Sequence, residues 1–159
     1  MDYPSHPASV TMVAGTSMDW GALRWYERTV AIVVGAILLA LLIVAARLEP
    51  NPTGLGTHQQ LGLPACTARQ WWGVRCPSCG MTTSWSHLMR GNVAAAVRAN
   101  CGGALLAVLA LIGGPWLVVS GVWGRWFFGA PQETASLALG FATLIVTLID
   151  WSIRLYLGI

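Results

Sequence analysis

Cys76 and Cys79 stand three positions apart in the stretch Cys76-Pro77-Ser78-Cys79-Gly80-Met81-Thr82-Thr83-Ser84-Trp85, with Cys66 upstream and Cys101 downstream. Two thiols at that spacing are able to share a metal ion, close a disulfide, or stay reduced as part of a turn whose role is conformational. Spacing alone leaves all three open. A closed structural zinc site takes four ligands, and the clear set is three sulfurs, Cys66, Cys76 and Cys79, with His58 and Cys101 as candidate fourth members. His87 is less suited, because eight residues along a helix from Cys79 is about 12 Å. Zinc is therefore the candidate cofactor. Cys66 is expected beside the pair, since the Trp71-Trp72-Gly73 stretch is able to turn the chain back. Cys76, next to Arg75 and at the expected start of a helix, is expected to be the more acidic thiol.

Other chemistries find no support in the residues. No strand pattern precedes Cys76, as a thioredoxin-like unit requires, and there is no catalytic carboxylate pair, Ser–His–Asp arrangement or phosphate loop. The acids are scattered at 2, 19, 27, 49, 133 and 150. An enzyme is the less favoured reading.

Cys66, the Cys76-Pro77-Ser78-Cys79-Gly80-Met81-Thr82 core, Leu88-Met89-Arg90-Gly91-Asn92, Ala95 and Asn100 together resemble an uncharacterised bacterial membrane-protein family, domain of unknown function 2752. The resemblance covers residues 66 to about 120. Thr83 stands where the family pattern has Arg, and Cys101 where it has Pro. The resemblance implies a multi-pass protein of the bacterial inner (cytoplasmic) membrane and carries no activity with it.

The surroundings agree with a membrane setting. Of 159 residues, 55% are hydrophobic and only 9% charged, against about 25% charged in soluble domains, and the mean hydropathy is +0.62. The nine basic residues are all Arg; with net charge +3 and no basic run, nucleic acid is excluded as a partner. The fold class expected is an all-α integral membrane protein with three transmembrane helices and an interfacial helical hairpin after the motif.

In chain order, residues 1–28 read as a flexible tail, with a lone His6, ending in an interfacial collar of Trp20, Arg24, Trp25, Tyr26 and Arg28. Residues 29–159 form one membrane domain. Its first span, about 29–48, contains an uncharged run from Val30 to Ala46; a signal peptide cleaved after Val44-Ala45-Ala46 is the competing reading, and the long leader and long apolar run favour an uncleaved span. Glu49-Pro50-Asn51-Pro52-Thr53-Gly54 is loop, and His58 to Trp72 lies at the membrane surface. The motif hairpin occupies 66–100. Met81, Trp85, Leu88 and Met89 make one apolar helix face, Gly91 ends that helix, and Asn92 caps the next.

The second span, about 101–123, is expected to bend at Pro115. It carries a seam of small residues, Gly103, Ala107, Ala110, Gly114 and Gly121. The third, about 134–157, carries Ser136, Gly140, Thr143 and Thr147 on one face. Small faces let helix backbones approach closely in lipid, so these are expected to bury against each other or against a partner. The same face of span three ends in Asp150 and Arg154, an i, i+4 pair with the acid first, which either snorkels to the headgroups or lines a buried ion pathway. Six arginines fall on the motif side and three on the other, which favours a cytoplasmic motif and an exterior N-terminus. The function expected is that of a subunit or scaffold in a larger membrane assembly, through other subunits or self-association and in contact with lipid; the alternative is a thiol–disulfide or zinc-handling membrane protein.

Overall fold

The computed structural model describes residues 21–129 and 131–158. The tail, His6 and Trp20 lie outside them. Among the described residues every regular element is helical. Three helices are long and apolar enough to cross a membrane: α1 (Trp25–Arg47), α5 (Cys101–Trp123) and α6 (Glu133–Leu157). Between α1 and α5 lie a 3-10 helix (Thr57–Leu61), α2 (Thr67–Trp72), α3 (Met81–Met89) and α4 (Val93–Ala99). The segment His58 to Trp72, read from sequence only as a surface stretch, thus contains two short helices. Trp71 and Trp72 are exposed at the end of α2.

Local chemistry explains the boundaries. The Glu27 carboxylate accepts the Arg24 backbone N–H at 2.8 Å, so α1 starts at Trp25 and absorbs the aromatic collar. Gly91, at φ 75°, turns the chain out of α3, and Asn92 caps α4 by accepting from Ala95 N. Asn100 caps α5 by accepting from Gly103 N at 2.6 Å. The helix runs on through Pro115 as one element.

The helices α1 and α5 pack antiparallel. Gly103, Ala107, Ala110, Gly114 and Gly121 are all buried; from Ala107 to Gly121 the seam meets α1, while Gly103 faces Met81 of α3. A Cβ at Gly114 would stand 3.3 Å from Leu39, one at Gly121 2.9 Å from the Arg28 carbonyl, and one at Gly35 of α1 2.8 Å from the Gly114 carbonyl. Leu42, Ala107 and Ala110 form the buried centre, with Trp85, Leu88 and Met89 of α3 packed against it. The arginine in the collar closes this pair: Arg28 Nε donates to Gly121 O and its Nη2 to Val122 O, both at 3.0 Å, satisfying carbonyls at the C-terminus of α5.

Helix α6 is held differently. Only Thr143 is buried; Ser136 and Gly140 are exposed, with open space where a Cβ at Gly140 would be. Contact with α5 comes near the motif end, where the Thr147 side chain occupies the place of a missing Cβ at Gly102. Beyond it the helices leave a groove lined by Leu106, Leu109, Ser136, Leu139, Gly140 and Thr143.

Candidate functional site

The site is built at the end of the bundle where α1 and α6 finish and α5 begins. Cys79 N donates to Cys76 O at 3.0 Å, closing a turn with Pro77 at the position its fixed φ suits. Gly80 follows in the left-handed region at φ 85° and caps α3. Any Cβ there would fall 2.6 Å from Ala99 O and 2.9 Å from Gly54 O, so glycine is required by both conformation and space. The helix therefore begins after the motif, at Met81, and Cys76 is not at its first turn as the sequence had suggested.

The turn is held from both sides by polar groups. Asn100, the cap of α5, donates from Nδ2 to Pro77 O at 3.0 Å and to Cys79 O at 3.1 Å. Below it, α3 buries a row of hydroxyls. Thr83 shares a hydrogen bond with Thr57 at 2.8 Å, Ser84 donates to Asn100 O at 3.0 Å, and Ser86 donates to Leu48 O. Arg90 Nη1 donates to Ser86 Oγ at 2.7 Å. Each hydroxyl ties α3 to a different neighbour, and each is satisfied, as buried polar groups must be.

This arrangement brings three sulfurs together. The sulfurs of Cys66, Cys76 and Cys79 lie within 4.8 Å of one another, with those of Cys76 and Cys79 3.1 Å apart and all three unbonded thiols. They line a cavity of about 390 Å³ with His58, Arg69, Met81 and Thr82. His58 reaches that cavity, but its Nε2 is engaged with Pro64 O at 3.2 Å. Cys101 is in the first turn of α5 and does not line it.

The thiols differ in acidity. Cys66 is lowered to about 7, first by the backbone N–H of Arg69 and against the effect of burial; the other thiols and Ala68 N–H also favour its thiolate. Burial, followed by the neighbouring thiols, pushes Cys79 up to about 12. At Cys66 the cause is a helix end, since Cys66 stands at the N-cap position of α2 and Arg69 belongs to that helix.

The Asp150–Arg154 pair is part of the same end. Arg154 Nε and Nη2 hold the two Asp150 oxygens at 2.9 and 3.0 Å. Arg154 Nη1 also donates to Arg98 O at 2.9 Å and Ala99 O at 3.1 Å, while Asp150 Oδ2 accepts from Cys101 N at 3.3 Å. The cation thus meets the C-terminus of α4 and the anion the N-terminus of α5, each opposite in sign to the partial charge there. Trp151 Nε1 donates to Arg75 O at 2.6 Å, fastening α6 to the loop before the motif.

Sequence reasoning did not anticipate Thr57, Thr83, Ser84, Ser86 or a structural role for Asn100. The density of hydroxyls in Thr82-Thr83-Ser84 and Ser86, unusual for a helix at an apolar surface, is a signal from which Thr83, Ser84 and Ser86 could have been found; Thr57 and Asn100 carry no such mark.

Residues 66–114 match the model of a family described as a protein of unknown function, DUF2752, the family whose pattern the motif resembles. No curated protein and no solved structure matches the chain.

Proposed function

We propose that this protein is a small multi-span subunit of a bacterial cytoplasmic-membrane assembly, and that its surface hairpin carries a three-thiolate metal site of which zinc is the natural occupant. The observation that supports this is the convergence of three sulfurs from two separate segments on one cavity. A disulfide needs only two of them. Zinc–sulfur bonds of about 2.3 Å put tetrahedral sulfurs about 3.8 Å apart, so the Cys76–Cys79 separation of 3.1 Å has to open by only about 0.7 Å. Three thiolates leave a fourth position for water, for His58 after release of Pro64, or for a group from a partner. Arg69 on the cavity wall offsets the surplus negative charge. A cytoplasmic motif, favoured by the arginine distribution, keeps the thiols reduced and suits a metal.

A thiol–disulfide role is the second reading, favoured by the 3.1 Å sulfur separation and the low pKa of Cys66. There Cys76 and Cys79 close their disulfide as they reduce a disulfide of a partner protein, which takes the two electrons and two protons, and return to the dithiol by the reverse exchange, with the Cys66 thiolate beside them.

Metal analysis of purified protein, combined with alkylation mass spectrometry, separates the two. The metal reading expects one zinc per chain, lost in Cys66→Ser, with alkylation blocked until a chelator is added. The redox reading expects no metal and two thiols that alkylate only after reduction. Complete alkylation of all three in metal-free protein without reductant or chelator overturns both. In the metal-free, reduced protein Cys66 is mostly thiolate above its pKa of about 7 and mostly thiol below it, so its alkylation rate should fall about tenfold from pH 8 to pH 6.

A further inference from the structure

On the other side of the motif loop from the thiols lies a second cavity, of about 380 Å³, with basic walls. Arg75, His87, Arg98 and Arg154 line it, coming from the motif loop, α3, α4 and α6, and no carboxylate does. Arg154 is already committed to Asp150 and the end of α4. Among the described residues, no hydrogen bond or ion pair engages the side chains of Arg75, Arg98 or His87. Arg75 is nevertheless half-buried. Five fixed donors on each arginine, with no protein acceptor engaging those of Arg75 and Arg98, suit a planar or tetrahedral oxyanion.

From these observations we propose that this cavity is a phosphate-binding site, with Arg75 and Arg98 as the two ligating guanidiniums and Arg154 as a fixed third positive wall. Several features favour phosphate among anions. The cavity is at the lower end of the size range of small-molecule sites, so it admits a phosphoryl group with part of the molecule that carries it. Pro52, Thr53 and Gly54 of the loop after α1 complete the lining. The depth also fits: exposed Trp71 and Trp72, and Trp151 bonded to Arg75 O, mark this end as the level where aromatic residues meet headgroups. Basic pockets between spans at that level take anionic lipid headgroups. The same donors would accept a soluble phosphate ester. The inference is independent of what the thiols bind, since none of them lines this cavity.

The test uses the full-length protein purified in detergent. One arm is native mass spectrometry after exchange into nanodiscs of phosphatidylglycerol or of phosphatidylcholine; the other is titration of the lipid-depleted protein with inorganic phosphate and pyrophosphate, read by calorimetry. Retention of phosphatidylglycerol over phosphatidylcholine, with no response to the soluble ions, assigns a headgroup. A saturable response to phosphate or pyrophosphate assigns a soluble ester. In either case Arg98→Gln and Arg75→Gln should each weaken binding about tenfold, the loss expected for a charge-assisted bond, and raised salt should weaken it further. Arg98 is exposed on α4, so its variant is expected to keep the wild-type unfolding temperature and metal content, which separates lost binding from lost fold. Neither lipid selectivity nor a response to the ions, or binding unchanged in both variants, overturns the proposal.

Discussion

The paired helices α1 and α5 and the solitary α6 show two ways of holding a helix in a membrane. Between α1 and α5 glycine and alanine bring the backbones into contact along most of the helix length, so that a Cβ at Gly35 or Gly121 would fall within 3.0 Å of the other helix's backbone and one at Gly114 would press on the Leu39 side chain at 3.3 Å. In lipid, where apolar surface gains nothing from leaving the solvent, that closeness supplies the attraction through dispersion. Helix α6 has the same kinds of residue, Ser136, Gly140, Thr143 and Thr147, but only the motif end of the row is covered. It is attached by polar clasps instead: Arg154 on the carbonyls of α4, Asp150 on the amide of Cys101, and the Trp151 indole on Arg75 O. Close packing makes α1 and α5 one unit. The clasps fix the end of α6 and leave the rest free to meet something else.

The largest effect is therefore expected where the packing is closest. Gly35→Leu drives its side chain into the Gly114 carbonyl and Val118, and should cost about 3 kcal/mol, the upper end of the overpacking range. Unfolding in mixed micelles is the measurement. A Gly35→Leu protein as stable as wild type would mean that α1 and α5 are not joined by backbone proximity.

A smaller and more local effect is expected at the clasp. Arg154→Gln removes the ion pair and the donors to α4 and should cost about 2 kcal/mol, the scale of a hydrogen bond to a charged group. Native-state hydrogen exchange should then show faster exchange at the motif end of α6, with α1 and α5 unchanged. Uniform acceleration in all three helices would remove the distinction between a packed pair and a clasped third helix.

How far this division could be read in the residues differs by element. The three spans are legible because long uncharged runs between Trp and Arg collars suit a bilayer crossing and little else. The convergence of Cys66 with Cys76 and Cys79 follows from the short connection and Trp72-Gly73. The seam on α5 is visible as a row of small residues, yet nothing in that row says whether α1 or α6 covers it. Gly35, a lone glycine within an Ile/Leu/Val run, is the clue that points to α1. The helix start expected at Cys76 lies at Met81, because Pro77 and Gly80 shape a turn that delays it. The i, i+4 spacing shows Asp150 as a partner of Arg154, but the further acceptors of Arg154 at Arg98 and Ala99, and that of Ser84 at Asn100, are backbone carbonyls, which leave no mark in a sequence. The apolar stripe Met81, Trp85, Leu88 and Met89 is the stronger periodic signal in α3, and it masked the buried hydroxyls on the opposite side.

The smallest effect on the isolated protein, and the one that sharpens the comparison most, is expected at Gly140. Its Cβ position is open space on the wall of the groove between α5 and α6, so Gly140→Leu should change stability in detergent by less than about 0.5 kcal/mol, as an exposed substitution does. Gly114→Leu, in the covered seam, should be markedly worse, though both are glycine-to-leucine changes in a membrane helix. If α6 presents its small and hydroxyl face to another subunit, Gly140→Leu should nevertheless lose that association, because the added side chain holds the two backbones apart. Crosslinking and co-purification from native membranes read this directly. A Gly140→Leu protein that keeps both its stability and every partner of the wild type would show that this face of α6 meets lipid, and that the clasps at Asp150, Trp151 and Arg154 are all that α6 requires.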